Sequence, residues 1–193
     1  WGDQRDLHPF PTRRSADLVR SKRVGGAVYR DPRESPRKCS LTPIRGRPGV
    51  RFVNYHRDRR LAAGECVLLH PDGEELSSAD RGRSLLLVDC SWRHLPALLA
   101  SLDGAPRRRR LPAFASAYPR KSKLFDDPER GLASIEALFA ATVLLGEPRP
   151  DLLEGYRWTA EFLAANPGLD GPWRERAAGG SFGPSGGESG PAT

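Results

Sequence analysis

Ser84-Leu85-Leu86-Leu87-Val88-Asp89-Cys90-Ser91-Trp92 is the stretch whose reading decides the fold. Four consecutive apolar residues, Leu85 to Val88, describe a short strand buried on both faces. Such strands belong to mostly parallel sheets covered by helices, so the fold class read from this stretch is α/β. The run then ends in an acid, a thiol, a hydroxyl and an indole. In an open α/β sheet, ligands and chemistry collect at the carboxyl ends of central strands. Asp89 and Trp92 are therefore the first site candidates. A competing reading makes Asp89 the cap of a following helix and Trp92 a core filler.

Outward from this strand, residues His94–Leu102 form a short helix with Leu95, Leu98, Leu99 and Leu102 on one face. Pro96 is tolerated in its first turn. Upstream, Cys66–Leu69 is a second apolar run, closed by the turn signal His70-Pro71-Asp72-Gly73. Ser77–Asp80 starts a helix or a turn. Val24–Arg30 and Val50–Val53 are further short strands, the first weakened by two glycines. Between them, Asp31–Pro43 carries three prolines and is a loop. Its hydroxyls and cations suit either a solvated turn or the recognition of a carboxylate or phosphate. Arg57, Arg59 and Arg60 cluster with His56.

Downstream, Arg107-Arg108-Arg109-Arg110 reads as a solvated loop or a contact to a phosphate backbone. Tyr118–Lys123 is a second basic loop. Ser134–Leu145 is a helix with Ile135, Leu138, Phe139, Thr142 and Val143 on one face. Ser134 is its expected N-cap and Gly146 its expected C′ residue. Asp151–Leu163 gives another helix, weakened by Gly155. Order is expected to fade after Asn166-Pro167, and residues 169–193 read as a disordered tail, Gly/Ser/Pro-rich over Gly179–Thr193.

With 31 Lys+Arg against 24 Asp+Glu the net charge is +7, which favours a polyanionic partner, nucleic acid over membrane. A GC-rich genome would also enrich arginine. Three separated cysteines form no Cys-x-x-Cys, so neither a metal site nor a disulfide framework is expected. The lack of an apolar leader or a membrane-length apolar run points to a cytoplasmic protein. Trp1–Leu18 has neither helical nor strand periodicity and resembles translated sequencing-adapter sequence. Its three acids balance its three arginines, so the net charge survives its removal. Methionine is absent altogether, which implies that the natural start is missing.

Four stretches occur in a familiar order: Asp31-Pro32 with Arg37-Lys38-Cys39-Ser40, Leu69-His70-Pro71, Leu87–Trp92, and Leu132-Ala133-Ser134-Ile135-Glu136-Ala137. Together they resemble the ribosome-biogenesis aminocarboxypropyltransferases, over roughly residues 24 to 166. The resemblance implies a SPOUT-like α/β fold, a mostly parallel sheet with a C-terminal trefoil knot and a small N-terminal α/β portion. It divides the chain into an N-terminal portion, 19–80, carrying the Arg-Lys-Cys-Ser loop, and a catalytic portion, 81–168.

The resemblance further implies transfer of the 3-amino-3-carboxypropyl group of S-adenosylmethionine to a uridine-derived base of small-subunit rRNA. It places Leu69, Pro71 and Trp92 around the adenine and the Val88 backbone at the ribose. Ser40 falls at the methionine carboxylate, Leu111 within the cofactor-binding set, and Asp89 near the transferred carbon. Arg107, Arg108, Arg109, Arg110, Arg120 and Lys121 are the expected RNA contacts, and the implied partner is rRNA or a pre-ribosomal small subunit, met as a monomer. The chain departs from the family where Tyr118–Lys123 replaces an Asn-Pro-x-x-Tyr-Gly-like loop. The alternatives are the tRNA enzymes of DTW type, whose hallmark is Asp-x-Trp rather than Asp-x-x-Trp, a non-catalytic RNA-binding assembly factor, and a SPOUT methyltransferase.

Overall fold

Parallel pairing around Leu85–Asp89 organises the described residues, 26–35, 39–119 and 131–171, of the computed structural model. In chain order the strands are β1 (Gly26–Arg30), β2 (Val50–Asn54), β3 (Leu61–Ala62), β4 (Val67–Glu75), β5 (Leu85–Asp89), β6 (Leu102–Asp103) and β7 (Arg107–Arg110). Five form one sheet in the order β2-β1-β5-β4-β7, so the Leu-Leu-Leu-Val strand lies at its centre. Every junction in that sheet is parallel, and β3 pairs with β6 in a small parallel ribbon. The strand order crosses residue 80 repeatedly, so segments before and after it share one sheet.

The apolar run of β5 is buried because both faces of the sheet are covered. Leu85 and Leu87 join Val28 and Val67 against helix α2 (Ser134–Leu144), whose Ile135, Leu138 and Phe139 are buried. Leu86 faces the other way, with Tyr29, Leu68 and Leu98 of helix α1 (Leu95–Ala100). Burying each of these leucines stabilises the fold by about 1.5–3 kcal/mol relative to exposure. Phe139 of α2 meets Phe162 of helix α3 (Thr159–Ala165) edge to face, ring centroids 6.4 Å apart.

Several expectations are corrected. His70–Gly73 is no turn: β4 runs through it with a bulge, the register to β7 shifting between Leu69 and Glu74. Gly73 is required there, since a Cβ would lie 2.5 Å from the Arg108 carbonyl carbon and the Arg109 nitrogen. Arg107–Arg110 is no loop but the edge strand β7. Leu102 leaves the helical face and enters β6. The helix expected over Asp151–Leu163 splits into a 3-10 turn, Pro150–Leu153, and α3, because Gly155 adopts a φ of 77° between them. Chain order persists past Asn166, which is buried, and Pro167–Leu169 form a further 3-10 turn. Ala133, not Ser134, occupies the N-cap position of α2. Residues 1–18, 120–130 and 172–193 lie outside the described chain, so the knot, the adapter-like segment and the tail stay expectations.

Candidate active site at the carboxyl end of the central strands

Because the sheet is parallel, β1 and β5 end side by side, and their last residues, Arg30 and Asp89, are register partners. Both are charged, on the face that carries Val28, Leu85 and Leu87. Arg30 Nε lies 3.4 Å from Asp89 Oδ2, with side chains 5% and 14% exposed. The Cys39 thiol donates to Asp89 Oδ2 at 3.3 Å, and the Ser134 hydroxyl donates to Oδ1 at 2.9 Å. A carboxylate offers about four acceptor positions. Among the described residues, Oδ1 accepts one bond, which leaves an acceptor position there.

Ser134 opens α2, and the next residue, Ile135, donates its backbone N–H to Ser40 Oγ at 3.3 Å. Ser40 and Asp89, far apart in sequence, are thus held by consecutive residues at one helix start. The first turn of a helix carries unsatisfied N–H groups and a partial positive charge, a setting suited to a carboxylate. The helix is anchored by Glu136, whose fully buried carboxylate accepts from Ala133 N (2.8 Å), Ala117 N (2.9 Å), Ser116 Oγ (2.6 Å) and Tyr156 Oη (2.9 Å). Burial and the Glu136 charge push the Tyr156 phenol far up, so it remains a donor. Asn166 completes the loop by exchanging two 2.8 Å bonds with the Ala115 backbone.

A second tie joins the loops after β1 and β5. Asp31, fully buried, donates its N–H to the Asp89 carbonyl at 3.0 Å, and its Oδ2 lies 2.8 Å from His94 Nδ1. Bonds from the Arg33 guanidinium hold its carboxyl below the usual carboxylate range against the effect of burial. Glu34 Oε1 accepts from Ser91 N at 2.9 Å. Donor atoms of Asp31, Glu34 and His94 lie within 4.8 Å of one another, a spacing a cation would accept. The Arg33 guanidinium and the Ser91 N–H already take those oxygens. Burial pushes the Cys66 thiol up to about 11 and the Cys90 thiol to about 12, so neither is a thiolate at neutral pH.

The expected cofactor residues surround this point unequally. Leu69 and Leu111 are half-buried and pack on the α2 side of the sheet. Val88 packs on the opposite face, so only its backbone is offered to the α2 side. Pro71 is exposed on the bulge of β4. Trp92 opens the 3-10 turn after β5 and is 44% exposed, which removes the core-filler reading. Asp89 caps no helix either, since its side chain accepts from a hydroxyl and a thiol.

The arginine run is not gathered here. Arg107 and Arg108 pair in register with Val67 and Leu68, at the opposite end of the sheet. Arg109 binds the buried Asp80 at 2.8 Å and also Glu74, while Arg110 lies 3.7 Å from Glu75. Arg107, Arg108 and Arg109 line, with Asp72, Gly73 and Glu74, an open, polar concavity of about 460 Å³. Arg120 and Lys121 lie outside the described residues. Sequence reasoning missed Arg30, Cys39, Ser134 and Glu136 as site residues. The signals were there: Arg30 ends an apolar run just as Asp89 does, and Glu136 stands at the third position of a helix start.

Residues 67–170 match the family described as "Ribosome biogenesis protein, C-terminal". The chain belongs to this family. It is 32% identical over 139 residues to a 16S rRNA aminocarboxypropyltransferase of Halobacterium salinarum, covering 69% of this chain and 76% of that relative. A protein of the same description from Methanopyrus kandleri is 35% identical over 108 residues, 52% of this chain; the match spans 62% of that relative's length. The fold is similar to that of the SAM-dependent rRNA:acp-transferase Tsr3 from Vulcanisaeta distributa, with a TM-score of 0.59 and 26% identity. That likeness covers 76% of this chain and 82% of the other. Mostly parallel α/β architecture, expected from one apolar strand, is what family and fold share.

Proposed function

We propose that this family member is an S-adenosylmethionine-dependent aminocarboxypropyltransferase acting on a uridine-derived base of small-subunit rRNA. The observation that carries the reading is the convergence of Asp89 and Ser40 on the start of α2, in a chain matching two relatives of that description. The residues present fit the co-substrate. A helix start with Ser40 suits its carboxylate, and the exposed Trp92 with half-buried Leu69 and Leu111 offers apolar surface to an adenine. Pro71 and the Val88 backbone complete that set.

When bound, S-adenosylmethionine supplies a sulfonium, whose carbon–sulfur bond to the aminocarboxypropyl arm breaks as the base nitrogen attacks, the electron pair leaving on sulfur. The protein's part is to choose among three electrophilic carbons by cover and alignment. Trp92 and half-buried Leu95, three residues on, cover the methyl. Asp89 orients the imide N–H with its open acceptor position and takes or passes on the proton. Arg107, Arg108, Arg120 and Lys121 contact RNA phosphates, whereas Arg109 and Arg110 are engaged with acids. A monomer acting in the cytoplasm on a pre-ribosomal small subunit fits a basic chain in which no described helix is long and apolar enough to cross a membrane.

The test offers S-adenosylmethionine labelled in its methyl or its carboxyl group, with rRNA and with tRNA. Carboxyl label in rRNA alone is expected. Methyl label would make the chain a methyltransferase, tRNA labelling would favour the DTW-type alternative, and no label on under-modified rRNA would leave an assembly factor.

A further inference from the structure

We infer that Arg30 is a positioning residue for this transfer, a buried counter-charge that acts through Asp89; the inference rests on the reading just proposed. A guanidinium 5% exposed is costly to bury and persists only where it is paired. Arg30 has two described partners. Its Nη2 donates to the Glu34 carbonyl, and its Nε faces Asp89 Oδ2 at 3.4 Å without making a hydrogen bond. The second contact is therefore electrostatic in kind: it places charge beside Asp89 without claiming a lone pair.

The chemistry explains why such a charge is useful. The sulfonium carries a positive charge that disappears as the carbon–sulfur bond breaks. A bare carboxylate beside it would stabilise the bound co-substrate more than the transition state and so slow the reaction. Arg30 offsets that attraction while Ser134 and Cys39 hold the carboxylate in place. Asp89 keeps its open acceptor position for the base and exerts less pull on sulfur.

Cys39 is a built-in reporter. Burial and the Asp89 charge push its thiol up, and Arg30 pulls it down. The Glu34 carboxylate, in the same loop, is directed to the Ser91 N–H.

Three readouts are compared in wild type, Arg30→Gln, Arg30→Lys, and each of the first two with Asp89→Asn. They are kcat with saturating rRNA, S-adenosylmethionine affinity by calorimetry, and the rate of Cys39 alkylation followed by peptide mass spectrometry. Arg30→Gln is expected to lower kcat tenfold or more, to bind S-adenosylmethionine several-fold more tightly than wild type, and to slow Cys39 alkylation several-fold. Arg30→Lys restores affinity and thiol rate to within threefold. With Asp89→Asn, the change at residue 30 no longer alters affinity. Should Arg30→Gln fail to fold, Arg30→Met replaces it, since an apolar side chain leaves no charge to satisfy. Weaker co-substrate binding in step with kcat, the same change in both Asp89 backgrounds, or an unaltered Cys39 rate would overturn the inference. A wild type that transfers nothing would instead refute the functional reading, while the thiol rates still decide whether the Arg30 charge acts at this site and the calorimetry, compared between the two Asp89 backgrounds, whether it acts through Asp89.

Discussion

The carboxyl end of β5 and the edge strand β7 were both marked by clusters of polar and charged residues, yet they serve differently. At β5 each side chain meets partners from other elements: β1 brings Arg30, the following loop brings Cys39, and α2 brings Ser134. At β7 four identical residues divide by position. Arg109 turns inward to Asp80 and is 14% exposed, while Arg107 and Arg108 stay exposed, without an ion pair to a described residue. A central strand end gathers neighbours from both sides, and an edge strand has neighbours on one side only. Local charge density therefore says little about a site until the strand's place in the sheet is known.

The sharpest way to break this contrast is Asp89→Asn. It keeps shape and removes charge, so labelled transfer should fall about 100-fold or more while co-substrate binding survives. Wild-type turnover would deny the β5 end its chemistry. Arg109→Ala should next cost about 1–3 kcal/mol in urea unfolding, because the buried Asp80 carboxylate loses its charged donor and keeps only the Ser77 N–H. An unchanged midpoint would return Arg109 to the solvent-facing group. Trp92→Ala should weaken S-adenosylmethionine by about 1–3 kcal/mol with little change in melting temperature, by analogy with base stacking on an aromatic. A large fall in melting temperature would make Trp92 a core residue after all.

Acid sharpens the comparison further. Burial pushes the Asp80 carboxyl up, but the bonds from Arg109 and the Ser77 N–H outweigh it and hold the group below its ordinary value. A depressed folded-state value means that the unfolded chain takes the proton first. The stability this pair contributes is present above about pH 4 and is lost as pH falls through the folded value. Arg109→Ala should therefore lose less stability than wild type on acidification below pH 4, measured by thermal unfolding across pH. The smallest effects belong to Arg107→Ala and Arg108→Ala. Each should leave stability alone and reduce the salt slope of RNA binding by about one, the mark of one lost phosphate contact.

Local sequence determined the elements whose cause is local. A run of Leu85 to Val88, short and bounded by polar residues, suits a strand covered on both faces, and Gly146, at a φ of 77°, ends α2 where a C′ glycine was expected. Asp89 and Trp92 stood out as groups abruptly ending an apolar run, whereas Ser40 was singled out by the family resemblance, its proline-broken loop alone suiting either a solvated turn or an anion. What sequence left open depends on distance along the chain. Arg30 lies 59 residues from Asp89, and Ser134 lies 45, so nothing short of the parallel register and the docking of α2 could pair them. Arg107–Arg110 looked like a loop because four cations repel one another in isolation. Only the tertiary structure supplied Asp80, Glu74 and Glu75, which offset that repulsion and let the segment close the edge of the sheet.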